Sequence, residues 1–553
     1  LSLAVSSGWL TPQHSAAAEG ITRGVLGGVA LLSGYIALRI LMNLPEPARP
    51  HHDPAYQPNI DWVAQLQLGI SAPRLEHQPK ALLAFMDLIT TLTQHRSRVV
   101  ETIDLDGRSI NKQVSIEFVL PESAMDDSID SLYLPILQPV IGDLVDNFRL
   151  TDSSNNSVTN LSYLETVELA AIGLRTLLII ATGKQFNEWT DTRAGELILL
   201  ELIARRRPTD PDSVKSSTDK GLALLEGSPN KEIIEIIRSY LVSLSTGYPI
   251  VASVPRNLLI SNRVLLKYGQ TITPASSSKG WEGKLRLGIG VRPSQITVPV
   301  DLAQTAGSYH LRINGPPEKY VAEQILRCAY CRVRLDDPPP PRAPKCEHAL
   351  GESEQTHFHL RRRFGQNFTH LYVRGFADPS HRASRYEILV RFNETPPGSR
   401  ASAAITALAA LIFIWLIGHL ASNHEGISNS DIPAILLAVP AVAASWVGLA
   451  SSGESLVGSS LHARLSLILT GALSVTSVVV YLLQDAVTTA ADQHVTMRSH
   501  LMLAGVSDPR WTALLVVAFL GLVYIAWHLI ARVRNYLRLI GRPDPLTTPH
   551  SML

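Results

Sequence analysis

The distribution of long apolar runs constrains this chain more than any other feature. A helix needs about 20 consecutive apolar residues to cross a bilayer core. Five stretches meet that length: Gly24–Leu44, Ala401–Ser422, Ile432–Ser451, Leu465–Gln484 and Trp511–Ala531. Residues 45–400 contain none. The closest approach there is Leu169–Ala181, which holds Arg175 and follows Glu165 and Glu168, so it reads as a buried helix of a soluble core. The pattern predicts an α+β multidomain membrane protein with five transmembrane helices, one early and four late, enclosing a soluble block. Composition agrees: charged residues make up 18% and mean hydropathy is +0.12. Soluble domains carry about 25% charge, and a disordered chain would carry more.

Lysine and arginine near membrane ends set orientation. After the last span stand Arg532, Arg534, Arg538 and Arg542 against Asp544 alone. Arg382, Arg385, Arg391 and Arg400 precede the second span, and Arg39 and Arg49 close the first. The loops at 423–431 and 485–510 are comparatively acidic. Arg23 is the one dissenting flank. The resulting expectation is a multi-pass cell-membrane protein with its N-terminus outside and residues 45–400 and the C-terminus cytoplasmic. A signal sequence at 1–44 fits less well, because no basic residue precedes Arg23.

These readings divide the chain into an extracytoplasmic segment 1–23, a first span 24–44 and a Pro-rich linker 45–60. An α-rich α/β domain follows at 61–247 and a β-rich, sandwich-like domain at 248–400. Residues 401–531 form a four-helix bundle (401–422, 432–451, 465–484, 511–531), and 532–553 a basic tail. In the α-rich part, helices are expected over Leu161–Thr182 with Gly183 as terminator, over Gly195–Arg207 and over Lys231–Thr246, with Thr209–Lys220 as a polar loop. Val99–Ile103 and Val114–Leu120 read as strands flanking an Asp106-Gly107 turn. Period-two alternation marks strands at Lys284–Val291, Gln295–Asp301, Ser308–Ile313, His370–Phe376 and Tyr386–Phe392.

One constellation carries chemistry. All three cysteines are clustered, as Cys328-Ala-Tyr-Cys331 and then Cys346-Glu-His348. Two thiolates spaced two residues apart, plus a distant Cys and His, match the donor set of a structural zinc site, and four protein ligands leave no open position for substrate. His357 and His359 are alternative fourth ligands. The competing readings are reduced cysteines without metal and a redox pair, the latter lacking a thioredoxin-like strand–helix context.

Other motifs are sparse. No phosphate-binding loop, zinc-protease, nucleophile-elbow or kinase signature occurs. Gly288-Ile-Gly290 lies within a strand pattern, and Ser276-x-x-Lys279 in a Ser-rich loop. Arg205–Arg207 and Arg361–Arg363 read as a solvated helix end and a solvated loop. The spans are nearly devoid of ionisable groups, against an ion-coupled transporter. A net charge of +1 offers no global attraction for nucleic acid, and none is expected as a partner. The expected partners are the lipid bilayer and a protein, or a second copy through the membrane helices, whose small residues and Gly24-x-x-x-Gly28 suit close packing. The function expected is a non-enzymatic interaction, sensor or scaffold module. The alternatives are an effector whose bundle oligomerises and perturbs the membrane, and an enzyme without short motifs.

Overall fold

The computed structural model describes residues 60–70, 79–105, 109–125, 129–139, 145–204, 211–227, 230–272, 294–335, 357–361, 365–374, 386–423, 432–450, 460–488, 505–506 and 508–541. Outside these lie the first span Gly24–Leu44, nearly all of the Pro-rich linker, the Asp106-Gly107 turn, Arg205–Arg207, the Ser276 and Gly288 motifs and the strand expected at Lys284–Val291. Among the described residues the chain is a mixed α+β structure with three sheets.

Alternating burial builds the largest sheet. β1 (Arg96–Asp104) turns Val99, Glu101 and Ile103 inward, and β2 (Ile110–Val119) does the same with Val114, Ile116 and Phe118. They pair antiparallel, Val99 opposite Ile116. Further along come β3 (Ser131–Leu137), β4 (Asp146–Thr151), β5 (Thr159–Asn160), β6 (Ile250–Pro255), β7 (Arg263–Ile272), β8 (Gln295–Pro299), β9 (Ser308–Asn314), β10 (Lys319–Cys328), β11 (His357–Arg361), β12 (Phe368–Arg374) and β13 (Tyr386–Glu394). Seven strands share one sheet in the order β11-β12-β9-β1-β2-β7-β4; β10-β13-β8 and β3-β6-β5 are separate three-stranded sheets. β1 and β9 run parallel, so a long crossover must join them. Strands from both sides of position 247 therefore share one core. Val99, Phe118, Leu266 and Leu311 of the large sheet meet Val298, Val321, Leu326 and Phe392 of the small one.

The helices α1 (Ile60–Gly69), α2 (Pro79–Thr90), α3 (Leu92–His95), α4 (Tyr163–Thr182), α5 (Asp191–Ala204), α6 (Pro211–Leu222) and α7 (Lys231–Thr246) precede β6. All but α3 and α6 place several side chains in a second apolar core; α6 contributes Leu222. α2 is buried on two faces. Ala81, Ala84 and Leu88 enter the sheet core, and Leu82, Phe85, Met86 and Ile89 enter the helical one. α4 starts at a reciprocal cap, Ser162 with Glu165, and stops at Gly183, whose φ of +68° suits a residue without Cβ.

One expectation changes here. Thr209–Lys220 is no loop: α6 occupies Pro211–Leu222. Proline begins a helix without losing a bond, Asp212 favours its N-terminal end, and Val214, Thr218 and Leu222 give it a buried stripe too thin to see in a polar sequence. Within the domain expected to be α-rich, β3, β4 and β5 precede the first long helix, α4.

The late apolar segments form α8 (Gly398–Asn423), α9 (Ile432–Ala450), α10 (Leu461–Thr488) and α11 (Pro509–Ile540). Ala403, Ala407, Ala444 and Ala463 let them approach closely, around Leu467 and Ile525. Three described helices, rather than the five spans expected, are long and apolar enough to cross a membrane: Gly398–Ala421, Leu461–Leu482 and Pro509–Ile540. The apolar part of α9, Ile432–Val447, is shorter than those, with Pro440 inside the helix.

Candidate functional site

The first two cysteines close one tight turn. β10 ends at buried Cys328, and Cys331 is exposed on the turn that follows. The Cys328 N–H donates to Val333 O at 3.0 Å, and the Arg332 N–H returns to Cys328 O at 3.0 Å. Arg332 takes φ +58°, a left-handed conformation that a side chain adopts at some cost. The backbone thus folds Cys328 and Cys331 to one end of β10. Cys346 and His348 lie outside the described residues. His357 and His359 fall on β11, opposite Arg374 and Tyr372 of β12. Among the described residues no group of three or more His, Cys, Asp or Glu side chains is arranged to hold a metal.

A second cluster sits where the sheets meet the bundle. β13 runs into α8 through Thr395-Pro396-Pro397, and the Glu394 carboxylate accepts the Ser399 N–H at 3.1 Å and its hydroxyl at 2.5 Å. One turn on, Arg400 is only 9% exposed. Its Nε donates to Ser460 Oγ at 2.8 Å, just ahead of α10, and its Nη1 to His528 O of α11 at 3.3 Å. The His462 and His528 rings stack at 4.1 Å, and His462 Nδ1 lies 2.6 Å from the Tyr524 hydroxyl. Three helices thus converge on one polar knot at one end of the bundle.

α11 continues beyond that knot. Its 32 residues span about 48 Å at 1.5 Å each, against a hydrocarbon core of about 30 Å. The excess reaches the sheets. The Tyr536 ring packs on Tyr320 of β10 at 4.8 Å, and Ile540 lies against Gly365 in the turn between β11 and β12, where a Cβ would come within 3.0 Å of its Cγ1. No protein-family model matches the chain, and no curated protein matches it.

That geometry was hidden in the sequence, because Arg400, His462, Tyr524 and His528 come from three distant helices. Each alone reads as a flank residue or an interfacial aromatic.

A third polar group lies inside the sheet core. Glu101 is 1% exposed and accepts from Tyr309 Oη at 2.7 Å, with Lys112 Nζ at 2.8 Å. Despite the cost of burying its charge, the Lys112 ammonium is held above its ordinary range by Glu101. Burial, with Glu101 beside it, pushes the Tyr309 phenol well up, and Tyr268 rises to about 12, mainly through burial. Burial lowers Arg96 to about 10, still charged at neutral pH, and its guanidinium donates to Pro135 O, Ile136 O and Thr305 Oγ1 at 2.8–3.0 Å. These contacts tie strands together, and they present no reactive group to solvent.

Proposed function

We propose that the protein is a membrane-embedded interaction or sensor module, in which the soluble block and the bundle report to each other across the Arg400 knot. One observation carries the reading. α11 is a single helix, based in the bundle and ending against β10 and the β11–β12 turn. A continuous helix transmits a shift at one end to the other, and a ligand can move such an equilibrium only through contacts that differ between its states. The entry of β13 into α8 is the second connection, stiffened by Glu394 and Ser399.

Sidedness follows from charge. Arg532, Arg534 and Arg538 occupy the same end of α11 that meets the sheets. Under the positive-inside rule that end, and the block with it, faces the cytoplasm. A reducing compartment suits thiolate ligands, so the Cys328 turn would hold half of a structural zinc clip completed by Cys346 and His348. The left-handed Arg332 keeps the two cysteines at the two ends of one short turn.

The test uses the full chain in nanodiscs. Tyr536→Ala removes the ring contact at the seam. The expected result is faster amide exchange in β10 and also in α8 and the start of α10. Faster exchange confined to β10 would overturn the coupling. A Ser213→Cys probe should be labelled only after cell permeabilisation; labelling of intact cells would overturn the sidedness. Metal analysis should find one zinc per chain, lost in Cys328→Ser.

A further inference from the structure

The large sheet has a second face, turned away from the core. Directly opposed residues in a ladder share a face. The register therefore sets out four rows across β1, β9 and β12: Arg98, Ser308 and Arg374; Val100, His310 and Tyr372; Thr102, Arg312 and His370; Asp104, Asn314 and Phe368. The arginines Arg98, Arg312 and Arg374 are exposed, and the rings between them are partly buried. Among the described residues Arg98 and Arg374 make no ion pair, and the nearby Glu117 is taken by Arg263 at 3.0 Å.

The rings form a connected platform. His310 lies 4.8 Å from Tyr372 and 5.7 Å from His370, and the Arg312 guanidinium covers the Phe368 ring at 4.9 Å. Burial and then the neighbouring Arg98 lower the His310 pKa, so the ring is neutral at pH 7 and offers a stacking face rather than a charge. Beside the platform a cleft of about 530 Å³ opens between Arg98 and Arg263, over Val100, Leu265 and Ile260.

We propose that this face binds single-stranded nucleic acid. Partly buried rings and exposed arginines that share one face of a sheet match a ligand that alternates π-faces with phosphates. An acidic peptide would use the arginines and leave the rings without a counterpart. The chain's net charge of +1 averages over this face and conceals it.

The experiment measures fluorescence anisotropy of labelled 12-nucleotide oligo-U and oligo-dT with the full chain in a neutral detergent. Binding should weaken with salt, with a log–log slope of about −2 for three phosphate contacts. Arg98→Gln with Arg374→Gln should weaken binding on the order of tenfold or more and flatten that slope. Tyr372→Leu should weaken binding on the order of tenfold with the slope unchanged, as expected for lost stacking. Arg238→Gln, on the helical unit, should change nothing. These substitutions lie on a surface, and equal melting temperatures verify folding. The proposal is overturned if the oligonucleotides do not bind. It is also overturned if poly-glutamate or anionic vesicles compete for the same residues more strongly than oligo-U, or if Tyr372→Leu binds as the parent does. The assay is indifferent to sidedness and to coupling across the seam, so its failure leaves the preceding reading standing.

Discussion

Two buried carboxylates, Glu196 in the helical unit and Glu101 in the sheet core, solve the same problem differently. Glu196 is fully buried and meets a two-pronged partner: Arg175 Nε at 2.8 Å and Nη2 at 3.0 Å, with Gln67 Nε2 at 2.8 Å. Arg175 also donates to Gln67 O at 2.7 Å and lies 3.8 Å over the Phe186 ring. One carboxylate thereby fixes α1, α4 and α5, which share no backbone ladder. Glu101 instead links β1 to Lys112 on β2 and Tyr309 on β9, strands whose register the ladder already sets. In the helical unit the ion pair specifies the arrangement; in the sheet it only fills a polar place in one. Bidentate geometry suits the first task, and a flexible lysine suffices for the second.

The sharpest break in this comparison is Glu196→Ala. It strands the largely buried Arg175 guanidinium without its carboxylate, at an expected cost of about 3–5 kcal/mol. Amide exchange in α4 and α5 would report it, with little change in the large sheet. The double variant Arg175→Met with Glu196→Leu should recover most of that loss, since no charge is left unpaired. A double variant as damaged as the single would show that the pair contributes net stability rather than specificity.

Glu101→Ala should cost less, about 2 kcal/mol. The two cations are similarly buried, but the flexible Lys112 stem can carry its ammonium outward when its partner is removed, whereas Arg175 is also held by Gln67 O and the Phe186 ring. Amide exchange in β1, β2 and β9 is the measurement. A loss equal to that of Glu196→Ala would erase the distinction between the two sites.

A purely steric test comes next in size. Where α5 crosses α6, a Cβ on Gly195 would lie 2.6 Å from the Gly221 carbonyl oxygen. Backbone cannot rotate out of the way as a side chain can. Gly195→Ala should cost about 1–3 kcal/mol through helix displacement, seen as loosened exchange in both helices. A neutral result would mean that α6 is held less firmly than its packing implies.

This crossing also shows what a sequence does and does not disclose. Helices whose apolar stripes are broad, such as Lys231–Thr246, and strands whose alternation is clean, such as Ser308–Asn314, were legible because burial is written in their period. α6 was not, since its buried stripe is only Val214, Thr218 and Leu222 in an otherwise polar run. Pairing across long separations left no local trace either: nothing in Arg96–Asp104 announces a parallel partner at Ser308–Asn314. On the candidate site, the closeness of Cys328 and Cys331 is visible because both lie in one short motif. The Arg400 knot was invisible because its members become neighbours only when three helices pack. The outer sheet face was half visible. The period-two pattern over Ser308–Ile313 marks Tyr309, Leu311 and Ile313 as one face and leaves His310 and Arg312 on the other, with no sign of the strands beside them.

The smallest expected effect concerns a half-buried carboxylate, and it separates burial from hydrogen bonding as a source of electrostatic stabilisation. Glu226 Oε1 accepts the N–H groups of Thr190 and Asp191 at 2.6 and 2.8 Å where α5 begins, and its Oε2 meets Lys184 Nζ at 2.6 Å. The Lys184 hydrogen bond, followed by the backbone donors, lowers its pKa from 4.5 to about 2. A folded-state pKa below the unfolded one means that the unfolded chain binds the extra proton. The stabilisation is therefore complete above about pH 4.5 and is lost as pH falls towards 2. Exchange protection at the start of α5 should decline across that window in the parent. Glu226→Gln should show weaker protection at neutral pH and a flatter dependence on acid, since its amide cannot titrate. A parent and variant with the same acid profile would assign the decline to other carboxylates. The contrast with Glu196 would then rest on burial alone.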